Sequence, residues 1–92
     1  MVKALVLWER APDPTWYEQH ADLARKVPGS TFRHGPIFGS PAGKPDAEQV
    51  AEFEFADMDS FKAGMSSAEM AETVEDAQTT GIPFRVYFVE IE

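Results

Sequence analysis

A chain of 92 residues without cysteine has room for one domain, residues 1–92, and excludes disulfide staples, thiolate metal sites and cysteine nucleophiles. Eight basic against sixteen acidic residues, a formal charge of −8, leave no basic face for nucleic acid or an anionic membrane, so neither is expected as a partner. So short a chain buries only about 60–65% of its unfolded surface, which makes a second copy of itself the expected source of extra stability.

Val2-Lys3-Ala4-Leu5-Val6-Leu7-Trp8 is aliphatic and stops before Pro12, which predicts a strand. Ala4, Val6 and Trp8 oppose Leu5 and Leu7, so both faces are apolar and the strand belongs mid-sheet with cover on each side. The run is too short for a signal peptide or a membrane span, and a cytoplasmic location is the default. Asp13-Pro14 then reads as N-cap and first helical residue. Trp16, His20, Leu23, Ala24 and Val27 recur as one helical stripe, closed by Pro28-Gly29. His20 therefore falls on the apolar face.

Residues 31–34 predict a short strand, and the Gly- and Pro-rich residues 39–45 a loop. From Gln49 to Phe55 the pattern alternates: Ala51, Phe53 and Phe55 on one side, Val50, Glu52 and Glu54 on the other. Asp57 is the expected N-cap of a helix with Met58, Phe61 and Met65 inward, interrupted at Gly64 and Ser66-Ser67. Ser66 with Glu69 three residues later suggests a capping box that restarts the helix, turning Met70, Val74 and Ala77 inward. Residues 84–91 form the last predicted strand. Ten of the sixteen carboxylates lie between Asp46 and Asp76, a solvated acidic region.

The order β-α-β-β-α-β predicts an α+β, ferredoxin-like fold with a four-stranded antiparallel sheet and both helices on one face. The doubly apolar first strand is explained if two such sheets pack face to face, dimerising into an α+β barrel.

These segments together resemble the EthD-like family of the dimeric α+β barrel superfamily. The likeness rests on residues 3–8, Asp13-Pro14, and Asp22-Leu23-Ala24-Arg25-Lys26-Val27-Pro28-Gly29. It continues through Val50-Ala51-Glu52-Phe53-Glu54-Phe55, Asp57-Met58-Asp59-Ser60-Phe61 and Met65-Ser66-Ser67. Members commonly carry a histidine shortly before a proline–leucine pair; His20 stands near that place, with Ala21-Asp22 before Leu23. The resemblance implies a homodimer that binds a small organic molecule between helices and sheet. It also implies lactone isomerisation, polyketide cyclisation or cofactor-independent oxygenation as the kinds of reaction found among relatives.

His20 is the residue expected to take or give a proton, its alternative being a core histidine bonded to a neighbour. Trp8, Trp16, Tyr17, His34, Phe53 and Tyr87 are expected to line a pocket for a small, mostly apolar molecule. Glu52 and Glu54, neighbours on one strand face, could act as acid and base or pair with Arg10, Arg33 or Arg85. Neither a Gly-rich phosphate cradle nor a nucleophile elbow is present, and His20 with His34 lack a third ligand. No cofactor and no metal are expected. The resulting expectation is cofactor-free proton transfer, with a non-catalytic binding or accessory dimer as the alternative.

Overall fold

The computed structural model describes all 92 residues. In chain order the elements are β1 (Val2–Trp8), α1 (Pro14–Ala24), β2 (Ser30–Pro36), β3 (Gln49–Phe55), α2 (Met58–Met65), α3 (Ala68–Gln78) and β4 (Phe84–Glu90). The strands form one antiparallel sheet in the order β2-β3-β1-β4, the ferredoxin-like arrangement with its second helix divided in two. β1 is an inner strand, as its two apolar faces require.

Each helix begins on a side chain that accepts a backbone N–H: Asp13 from Trp16, Asp57 from Ser60 and Ser67 from Met70. The restart therefore lies one residue later than the Ser66–Glu69 spacing suggests. Ser66 caps the C-terminus of α2, and Glu69 sits one position too early to close a capping box.

Pairing register sorts the side chains. Ala4 stands between Phe53 and Phe88, and Val6 between Ala51 and Val86, on the face the helices cover. Phe32, Phe53 and Phe55 point the same way and are buried. The other face carries Leu5, Leu7, Val50, Tyr87 and Val89 around an ionic cluster, with no helix over it. There Lys3 Nζ lies 3.2 Å from Glu52 and 3.6 Å from Glu54, while the Arg33 guanidinium lies 2.7 Å and 2.8 Å from the same two carboxylates.

The helix faces differ from the expected stripes by a fraction of a turn. On α1 the buried residues are Tyr17, His20, Ala21 and Ala24, with Trp16 and Leu23 only partly covered. On α3 the buried face is Met70, Thr73 and Ala77; Val74 is turned toward solvent, as is Met58 on α2. On α1 the adjacent Trp16 and Tyr17 are both aromatic, so periodicity alone leaves the phase open; on α3 Thr73 takes the inward place, its hydroxyl donating to the Glu69 carbonyl.

Gly64 is where α2 comes closest to the sheet. A Cβ there would overlap the Phe55 ring and press on the Pro28 carbonyl oxygen, so only glycine permits this approach. No helix is long and apolar enough to cross a membrane.

Candidate functional site

α1 and α3 lie side by side over the sheet, and their contact places an imidazole against a carboxylate. His20, 4% exposed, has its Nδ1 2.8 Å from Asp76 Oδ2. An ionised carboxylate only accepts, so this bond selects the tautomer that carries the proton on Nδ1 and leaves the lone pair on Nε2. Three aromatic rings fix the plane of the imidazole. Trp16 stacks on it with centroids 4.7 Å apart and 14° between planes. Trp8 and Tyr17 meet it edge-on, at 6.1 Å and 5.5 Å.

Beneath His20 a cavity of about 60 Å³ lies between helices and sheet. Its floor includes Ala4, Ala51 and Phe53, and its roof Met70, Thr73 and Ala77. Val74 and Val86, 41% and 45% exposed, form a rim toward solvent. The volume suits a small group and is well short of the roughly 150 Å³ that admits benzene in a closed apolar cavity.

Trp8 Nε1 and the Tyr17 hydroxyl are buried without a hydrogen bond of close geometry. Burial pushes the Tyr17 phenol above its ordinary pKa, opposed by hydrogen-bonding interactions with the side chains of Trp8 and Gln49.

The remaining candidates separate. Phe53 lines the cavity; Trp16 does not, but packs against three residues that do, His20, Trp8 and Tyr17. His34 stands on the edge strand β2, outside the Tyr17 ring at 4.5 Å, and its Nδ1 accepts a hydrogen bond from the Gln49 amide nitrogen at 3.2 Å. It faces an outer cleft bounded by Arg25 and Gln49. Burial, followed by the charges of Arg25 and His20, holds its pKa below the usual 6.5. Tyr87 belongs to neither space. Its register partner is Leu5, so it stands on the helix-free face, and the expectation that it lines the pocket is corrected. In Phe84–Glu90 both faces are rich in apolar residues, which left the parity of Tyr87 undetermined.

Glu52 and Glu54 also lie on the helix-free face, bound to Lys3 and Arg33 rather than to Arg10 or Arg85. Arg85 instead faces Asp46 at 3.4 Å. Burial alone would raise the pKa of Glu52, but the hydrogen bonds and charges of Lys3 and Arg33 outweigh it and hold the carboxyl below its ordinary range. The pair is an ionic cluster remote from His20. No three His, Cys, Asp or Glu side chains gather as metal ligands.

Asp76 is the residue that sequence reasoning missed. It lies in the acidic region, where a carboxylate reads as solvated, and only the α1–α3 contact identifies it.

A model of the EthD domain matches residues 11–79. Among solved structures, an ethyl tert-butyl ether degradation (EthD) family protein from Bacillus halodurans superposes with a TM-score of 0.83 at 27% identity, over 100% of this chain and 99% of that one. A dimeric ferredoxin-like protein of unknown function from Jannaschia sp. gives 0.75 at 17%, over 98% of each chain. SnoaB, a cofactor-independent oxygenase from Streptomyces nogalater, gives 0.66 at 14%, over 99% of this chain and 92% of that one. No curated protein matches.

Proposed function

The chain belongs to the EthD family, and from that premise we propose that it binds a small, mostly apolar organic molecule between helices and sheet and transforms it by cofactor-free proton transfer. The observation that carries this reading is the His20–Asp76 pair at the wall of an apolar cavity. A carboxylate on Nδ1 orients the ring and stabilises the imidazolium that forms when Nε2 accepts a proton. The stacked Trp16 and the edges of Trp8 and Tyr17 hold that ring in place. Isomerisation, cyclisation and activation of an electron-rich ring toward oxygen all begin with such a transfer, and any of them could serve degradation of the compound. The fold shared with a cofactor-independent oxygenase is in keeping with this chemistry.

The working form is a homodimer in which the helix-free faces of two sheets meet. Leu5, Leu7, Val50, Tyr87 and Val89 supply an apolar surface there, and the Jannaschia neighbour is described as dimeric.

One observation favours binding without turnover: at about 60 Å³ the cavity is small for a whole substrate. The two readings separate in one experiment. Exchange of the α protons of cyclopentanone for solvent deuterium, followed by NMR, is expected to exceed the buffer rate with the protein and to return to it with His20→Gln. An unchanged rate in the variant leaves the binding role.

A further inference from the structure

Two spaces border α1, and they differ greatly in size. The cavity under His20 holds about 60 Å³, whereas the outer cleft between α1 and the end of β2 holds about 450 Å³. Tyr17 is the one residue that belongs to the walls of both. Its side chain, on a residue 3% exposed, stands as the partition between them.

Packing holds that partition in place. Trp8 and His20, which line the cavity, meet the Tyr17 ring edge-on at 5.9 Å and 5.5 Å, and Trp16 meets it at 5.9 Å. From the cleft a single ring, that of His34, lies against it at 4.5 Å. The hydroxyl interacts with Trp8 and Gln49 but makes no hydrogen bond of close geometry. The aromatic body, not the phenol oxygen, is what separates the two spaces.

The separation is also chemical. The cavity lining has His20 as its one titratable group besides Tyr17 itself, whereas the cleft carries Glu18, Arg25 and His34. A group too large for the cavity can extend past the rim at Val74 and Val86, but not past Tyr17.

We propose that Tyr17 is the specificity-determining residue of the site, a size filter that confines the ligand to the cavity and its rim. Neutral molecules with a ring-sized substituent directed between α1 and β2 are excluded. This rests on the reading of the cavity as the ligand site and adds which small molecules it accepts. Removing the ring joins cavity and cleft into one elongated site, apolar at the His20 end and polar at the His34 end. A substituted ketone then fits lengthwise, its cyclic core in the cavity and its substituent against Pro12, Pro14 and Pro36.

The test uses 2-phenylcyclopentanone, titrated into 15N-labelled parent, Tyr17→Ala and Tyr17→Phe, each checked for folding by circular dichroism. Tyr17→Ala is expected to bind it about 10-fold more tightly than the parent, equivalent to burying about two further methylene groups. In that variant the amide signals of Thr73 in the cavity and Gly35 in the cleft should move together, whereas Gly35 stays in place in the parent. Tyr17→Phe keeps the ring and is expected to match the parent. Should alanine prevent folding, Tyr17→Leu takes its place, because it removes less of the packing. Equal affinity in the parent and the folded variant, a Gly35 signal that moves in the parent, or a gain shared by Tyr17→Phe overturns the filter. So does binding to the variant that moves Thr73 and leaves Gly35 in place, which marks a loosened core instead of a joined site. Binding is read without turnover, so the filter can stand while His20-dependent exchange fails, and the reverse.

Discussion

His20 and Asp76 are 56 residues apart in the chain and 2.8 Å apart in space, joined Nδ1 to Oδ2 across the α1–α3 contact. A carboxylate in this position acts through the ring it holds, so Asp76 is a positioning residue for His20.

Asp76→Asn tests that role. The amide can donate as well as accept and no longer demands a proton on Nδ1. Ketone α-exchange is expected to fall about 100-fold, within the range that general acid–base groups contribute, while circular dichroism keeps its folded signature. In mildly alkaline solution, 15N spectra should show the Nδ1–H tautomer in the parent and a mixture in the variant. Unaltered exchange with an unaltered tautomer would remove Asp76 from the mechanism.

Acid should weaken the fold in two windows. His34 has its pKa held below the usual 6.5, so the unfolded chain takes up its proton first and stability falls as pH drops through 6.5. Glu52, held below 4.5 by Lys3 and Arg33, contributes stability above that value and loses it on further acidification. Thermal melts from pH 8 to pH 3 should show both declines, the second shallower in Glu52→Gln and the first shallower in His34→Gln. Parallel curves in all three proteins would contradict the assignment.

The helix-free face carries the dimer prediction. Leu5→Glu puts a charge amid Leu7, Val50 and Tyr87, where burial against a second sheet makes it expensive. Sedimentation of the parent at micromolar concentration should give twice the chain mass, and the variant the single-chain mass. A parent that sediments as one chain defeats the proposal.

At Gly64 the prediction concerns stability alone. Alanine there must displace the Phe55 ring or the chain at Pro28. Gly64→Ala is expected to cost about 1–3 kcal/mol by overpacking, more than its gain in helix propensity returns. The check is a lower urea midpoint at constant slope; an unchanged midpoint would show that α2 can move away freely.

The strands were legible because their information is local. β3 alternates cleanly from Gln49 to Phe55, so its buried face follows from the pleat, and the apolar faces of β1 placed it inside the sheet. β4 offers no such alternation, and only its pairing with β1 turns Tyr87 away from the cavity. On α1, adjacent Trp16 and Tyr17 are both apolar enough to lead the stripe, and a rotation of one residue decides between them. His20 was recognisable because it sits on the apolar stripe under either phase. Asp76 was not, since its significance depends on a partner fifty-six positions away.

The Trp16 indole stacked on His20, at 4.7 Å and 14°, has an optical consequence. A protonated imidazole in contact with an indole quenches its emission, and both tryptophans of the chain border this one ring. The protein thus carries an intrinsic fluorophore at its most interesting histidine. Its emission should respond to whatever enters the cavity, making a label-free screen for ligands available from the unmodified chain.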